Sequence, residues 1–352
     1  MLNTQSDAGI TLHTLIFGAA GAGLAYLLAF PVYPILGPAI CVSAIALAGV
    51  KCDVAVPIRD TALLFIGISI GSGVDANAAA AILRWPIAFL ALAFMLMVIL
   101  QFCRYLLNGF FGFDRQSAVL AAAPGHLGFV LSLGSTMNID IGRVSIVQAI
   151  RVLALTISVP FVAILFGIDT SNVVSTPTQF MQASHTVFLV VVSAASGFLI
   201  KHYSVPAPYL IAAMLLSAST QLTGLTSGAL PPVIALPCFI VVGTLIGTRF
   251  SGITLRQLKS SLLAGSITTT ATVIIASVTA IPIACFLDMP IAHVLIAFAP
   301  GGLETMIAMG AVLGINPGFV AACHVARLFI LTLLVPVMAG RLSPGEESTT
   351  RD

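Results

Sequence analysis

The chain has 352 residues, 59% of them hydrophobic and only 7% charged, with a mean hydropathy of +1.12 and a formal net charge of +2. An ordinary soluble domain is excluded, because about a quarter of its residues would be charged. The 14 Lys and Arg residues are dispersed without a run, so direct nucleic-acid binding is excluded and the lipid bilayer is the expected partner.

The N-terminal MLNTQSDAGITLH lacks the basic region and small-residue cleavage pattern of a signal peptide, so the first apolar run, 10–30, is expected to be a retained helix. Further apolar segments follow at 35–50, 58–74, 85–108, 117–137 and 142–168. A polar linker at 169–183, with proline and without a basic residue, comes next. Six more apolar segments run 184–201, 207–223, 231–248, 260–287, 291–313 and 318–340. The tail at 343–352, SPGEESTTRD, is too short for a domain and is expected to be disordered. An all-α polytopic membrane protein is predicted, with membrane repeats at 1–168 and 184–342.

The two halves are related. AAAPGHLGFVLSLG from Ala121 aligns without a gap on AFAPGGLETMIAMG from Ala297, at an offset of 300 − 124 = 176 residues. The offset carries Arg151 onto Arg327, Pro160 onto Pro336, and Gly67 and Gly71 onto Gly243 and Gly247. Over 121–160 there are 14 identities in 40 positions, where this composition gives roughly a tenth by chance. A duplicated apolar chain with Gly/Pro-interrupted segments at matching places is the pattern of a secondary transporter.

Positive charge tests the topology, because Lys and Arg accumulate in cytoplasmic loops. If all twelve segments cross and the N-terminus is inside, Lys51, Arg59, Arg104, Arg115, Arg341 and Arg351 lie inside. Arg84, Arg143, Lys201, Arg249, Arg256 and Lys259 then lie outside, so there is no bias. If the fifth segment of each copy enters and leaves on one side, only Arg84 stays outside. Each copy then crosses an odd number of times, which predicts two inverted repeats with about ten crossings plus two broken or re-entrant segments. The fifth is chosen because Pro124-Gly125 and Pro300-Gly301 interrupt it, and broken backbone at membrane depth survives only when buried in protein or lining a cavity. The alternative is a Pro-kinked spanning helix, with another short segment such as 35–50 failing to cross.

The APG(G/H)L…G element followed by RxxxLTxxxP, present in both halves, resembles the bacterial AbrB-like duplicated membrane-protein family, often labelled as an ammonia monooxygenase. The resemblance covers nearly the whole chain and is best in APGGLETMIAMGAVLGINPGFVAACHVARLFI. In the first copy His126 replaces the second glycine and Gly128 stands where the second copy has Glu304. The resemblance implies a multi-pass inner-membrane protein linked by name to oxidation and to gene regulation. The layout is also similar, at the level of architecture, to the cation/proton antiporter and anion transporter superfamily. A metal monooxygenase needs clustered His or carboxylate ligands. His13, His126, His185, His202, His293 and His324 form no cluster in the sequence, and no metal, cofactor or catalytic residue is expected. The six cysteines are far apart, without a CxxC, and read as small packing residues.

Ionisable residues within apolar segments are the site candidates, since each costs at least ~2.5–3.5 kcal/mol to insert. Arg151 and Arg327 lie about nine residues into their segments, ~13 Å deep at 1.5 Å per residue. Gln148 and His324 precede them by one turn on the same face and are the supporting residues. Two repeat-related guanidinium groups would bind a carboxylate or phosphate by their planar forks; the alternative is arginines that cap carbonyls or pair to lock the bundle. Glu304 is expected either to carry a coupling proton or Na⁺, or to cap a helix or serve as an arginine's counter-ion. The breaks at Pro124 and Pro300, with Gly125, Gly301 and Gly302, free backbone N–H groups for an anion, and His126 either titrates there or is a satisfied polar residue. GISIG and GTLIG let helices approach closely, within the chain or in a homodimer. Two functions stand: a secondary transporter of a small anionic solute coupled to H⁺ or Na⁺, with a midplane site between the repeats, or a membrane regulator or scaffold without transport.

Overall fold

The computed structural model describes residues 4–74, 85–125, 130, 133–134, 139–168, 179–203 and 205–340. The expected tail and most of the linker lie outside these residues, as do His126 and Gly128. Among the described residues are thirteen helices and one isolated bridge, between Phe180 and Ala229. In the first half they are α1 (Thr4–Leu27), α2 (Tyr33–Leu47), α3 (Val56–Gly71), α4 (Trp85–Phe111), α5 (Arg115–Ala122) and α6 (Ile141–Leu165). In the second they are α7 (Ala183–Lys201), α8 (Pro208–Leu222), α9 (Pro232–Thr248), α10 (Leu255–Leu287), α11 (Ile291–Phe298), α12 (Leu303–Val312) and α13 (Pro317–Gly340). Six of them, α1, α4, α6, α7, α10 and α13, are long and apolar enough to cross a bilayer.

Local chemistry sets the bounds. Asp114 caps α5 by accepting from the Ser117 N–H at 2.8 Å, and Asp140 caps α6 through the Arg143 N–H at 3.0 Å. A Thr254–Gln257 capping box starts α10 at Leu255, five residues before the apolar run begins. Asp288, at φ 53°, closes α10 in the left-handed conformation. The segment 291–313 is two helices, because Pro300 and Gly301 stop the first before Leu303 starts the second.

Two close helix contacts hold one side of the molecule together. A methyl group at Gly67 would lie 2.5 Å from the Leu210 carbonyl oxygen, and one at Gly71 the same distance from that of Met214. Ser217 donates to the Ile68 carbonyl at 2.9 Å and Gln221 to that of Ser72 at 3.2 Å, so α3 and α8 run parallel. Correspondingly, Gly243 sits against the backbone of Ile35 and Gly247 against Val42, so α9 packs on α2. Both GxxxG faces are therefore occupied within the chain and are not free for a second copy. On the other side α10 lies against α4 and α6, while α13 packs on α4, α5, α11 and α12. Trp85, at the start of α4, packs against Phe319, at the start of α13, with ring centroids 5.5 Å apart and the rings tilted by 60°. Arg143, entering α6, donates to the Phe111 carbonyl at the end of α4 at 3.0 Å and lies over the Phe113 ring. The outer faces expose Leu90, Phe94, Leu263, Val278 and Leu333, a surface suited to lipid rather than water.

Candidate functional site

An interrupted helix leaves carbonyl groups without partners at the C-terminal end of the helix that precedes the break, and a buried carbonyl must find a donor. In the first half the donors come from α6. Arg151 is 1% exposed and gives one Nη to the carbonyls of Ala121 and Ala122, at 3.4 and 3.2 Å, and the other to Ala123 at 2.7 Å. Gln148, one turn earlier, donates to Leu120 at 3.0 Å. In the second half α13 does the same work. Arg327 is fully buried and donates to Ala299 and Gly301, each at 2.7 Å. A cation at the negative C-terminal end of a helix also offsets the helix dipole. Both arginines keep a buried Nε–H without an acceptor, and neither forms an ion pair among the described residues.

The two breaks touch. Gly125 has φ 83°, and a methyl group there would lie 2.6 Å from the Gly301 carbonyl oxygen and 2.9 Å from an Nη of Arg327. The two guanidinium groups are near enough to feel each other's charge. Pro124 and Pro300 are buried beside this crossing. Of the predicted residues, Arg151, Arg327, Gly125, Gly301, Gln148 and the two prolines therefore belong to one centre. His324 belongs to it by position but is turned to its own helix: its Nδ1 meets the Val320 carbonyl at 2.9 Å, and Nε2 has no partner.

Glu304 faces elsewhere. It lies in the first turn of α12, and the charges that act on it are Arg249, Arg59 and Asp60, not the two buried arginines. Arg249 follows the end of α9, and its Nη2 is 3.8 Å from the position a Gly302 Cβ would take. Asp60 pairs with Arg59 at 2.9 Å and with Lys201 at 3.6 Å. The sequence reading missed Arg249 as a site residue because it falls at a helix end among other loop cations. A signal was present: at the 176-residue offset Arg249 stands against Gly73 and Glu304 against Gly128, so both charges are peculiar to the second copy.

Among the described residues no three His, Cys, Asp or Glu side chains come together to hold a metal ion, and all six cysteines are free thiols. The fold and this centre define a helical protein of membrane type in which two interrupted helices meet tip to tip. Residues 34–343 match the family model described as Transition state regulatory protein AbrB, and the chain belongs to that family. It is also similar to the uncharacterized protein YhjN of Bacillus subtilis (strain 168), with 23% identity over 249 residues. That match covers 66% of this chain and 65% of the relative's length.

Proposed function

We propose that the protein is a secondary transporter of a small anionic solute, coupled to H⁺ or Na⁺, in the bacterial inner membrane. Its two halves are inverted repeats whose fifth segments enter and leave on one side. Helix bounds support the repeat: α5 at 115–122 and α11 at 291–298 differ by 176 at both ends. Two contacts and one shared electrostatic neighbour support the inversion. Lys201 meets Asp60, Arg249 and Arg59 both act on Glu304, and α3 runs parallel to α8, although twelve full crossings would make that pair antiparallel and put Lys201 and Arg249 on the face opposite Arg59. The Arg143–Phe111 contact favours a re-entrant fifth segment, since it joins the end of the fourth segment to the start of the sixth.

One observation carries the transport reading. Two broken helices meet at Gly125 and Gly301, each with a buried guanidinium from its own half and, among the described residues, no carboxylate on either. A purely structural arginine would be cheaper to bury with a counter-ion, and uncompensated positive charge beside free N–H groups suits an anion. The test is uptake by proteoliposomes of labelled organic acids, ammonium and amino acids under imposed H⁺ and Na⁺ gradients. Gradient-driven accumulation of an organic acid is expected; accumulation of ammonium alone would reject the anion assignment.

A regulator or scaffold without transport is the second reading, and the carbonyl-bonded arginines in a dry core favour it. It predicts no uptake by well-folded protein, together with altered gene expression in a deletion strain. No enzyme activity is part of either reading.

A further inference from the structure

The transport reading leaves open which group touches the solute, since Arg151 and Arg327 already spend Nη donors on carbonyls. Arg249 spends none: its guanidinium makes no hydrogen bond or ion pair among the described residues, and the residue keeps some surface exposure. Its guanidinium meets the start of α12, whose N-cap is Gly302 and has no side-chain cap. The N–H groups of Leu303, Glu304 and Thr305 at this end have no partner within the helix. Thr305 is 3% exposed, its hydroxyl makes no hydrogen bond among the described residues, and Oγ1 lies 3.3 Å from the position of a Gly302 Cβ. Guanidinium, hydroxyl and free N–H groups thus converge on the space beside Gly302.

Exposure falls across the charged residues around this space. The Lys201 and Arg59 side chains are 52% and 40% exposed and Asp60 is 14%, followed by the partly buried Arg249 and Glu304 and then Thr305. The repeat-related positions hold no charge: Gly73, Gly128 and Phe129 replace Arg249, Glu304 and Thr305, and Ala235, Leu236 and Ala25 replace Arg59, Asp60 and Lys201. The charged cluster therefore has no counterpart in the sequence of the other repeat.

We propose that Arg249, Thr305 and the N-terminal N–H groups of α12 bind the carboxylate of a monocarboxylate solute, and that Glu304 takes up one proton as it binds. The inference rests on the transport reading. A second negative charge beside a carboxylate favours its proton-bearing form. The charges that reach Glu304 are Arg249 just after α9 and Arg59 and Asp60 on α3; Arg151 on α6 and Arg327 and His324 on α13 are not among them. When the solute engages Arg249, the positive charge beside Glu304 is shared with a second carboxylate. A proton from the aqueous phase then forms an O–H bond on Glu304, no bond of the solute breaks, and solute and proton move together.

The experiment uses the full chain in proteoliposomes, with labelled acetate, lactate and benzoate as probes and an internal pH dye. Wild type is expected to take up one proton per carboxylate. Arg249→Lys should raise KM about tenfold or more, as when one charge-assisted hydrogen bond is lost. Thr305→Ala should raise it several-fold, and Glu304→Gln should keep carboxylate exchange while losing proton entry. Each variant is checked for folding by helix content and gel filtration, and Thr305→Ala serves where the charge variants fail. If folded Arg249→Lys and Thr305→Ala variants transport with wild-type KM, the site is wrong while the transport reading stands. Proton entry undiminished in Glu304→Gln overturns the coupling role. If wild type moves none of the probes but carries phosphate or sulfate, the carboxylate class is wrong; if it moves no anion at all, both proposals fall.

Discussion

Replacing Gly125 by alanine measures whether the two breaks meet. Gly125 and Gly112 both adopt left-handed backbone, at φ 83° and 64°. An L-residue pays about 1–2 kcal/mol for that conformation at either position. Their surroundings differ. Around Gly112 a new methyl group finds nothing within 4 Å, whereas at Gly125 it meets the Gly301 carbonyl oxygen at 2.6 Å and an Nη of Arg327 at 2.9 Å. The first obstacle is backbone and cannot swing aside. The second is fixed by its 2.7 Å bond to that same carbonyl, so relief at one contact strains the other. Overpacking of this kind adds about 1–3 kcal/mol. Gly125→Ala should therefore destabilise by about 2–5 kcal/mol and Gly112→Ala by about 1–2 kcal/mol. Thermal unfolding of the two purified variants in one detergent gives the comparison. Equal losses would refute the contact between the breaks.

Arg327→Met strands the carbonyls of Ala299 and Gly301 and should cost about 2–6 kcal/mol at about 1–3 kcal/mol for each; unfolding at the wild-type temperature would remove arginine from the capping role. Arg151→Met strands the carbonyls of Ala121, Ala122 and Ala123 and should lose at least as much, although Gln148 still covers Leu120. Gly67→Ala and Gly243→Ala press on a neighbouring backbone and should each destabilise by about 1–3 kcal/mol, with no change in oligomeric state by light scattering. For topology, single cysteines at Lys51 and Gly252 in a cysteine-free background should label from the cytoplasm and one at Gly224 from outside; labelling of Gly252 and Gly224 with the faces exchanged would sink the inverted reading.

Much of the fold was legible because membrane helices announce themselves by length and apolarity. The segment predicted at 291–313 is split where Pro300-Gly301 says it should be, because a missing N–H and a weak helix former act locally. The prominence of Arg151 and Arg327 was equally visible, since a charge at that depth must have a reason. What the arginine touches was not visible. Carbonyl-capping and anion-binding arginines share the same sequence pattern, and the bonds from Arg327 to Ala299 and Gly301 appear only once the chain is folded. Arg249 was harder still. Its neighbour Gly302 lies far along the chain, and the approach depends on how α9 packs on α12, which no local propensity encodes.

The order of synthesis acquires a meaning from the arginine contacts. The carbonyls that Arg151 satisfies emerge 28–30 residues before it, and those that Arg327 satisfies 26–28 residues before it. Until the next helix has left the ribosome, each broken tip has bare carbonyl groups and no donor of its own, and hydrocarbon offers none. The eight residues of α5 or of α11 are also too short to span a bilayer alone. Each tip must therefore wait at the translocon or in the interface and enter together with the helix that carries its arginine. Folding of each half is then a single insertion event involving the fifth and sixth segments, and a chain truncated before Arg327 should leave its last tip outside the membrane core.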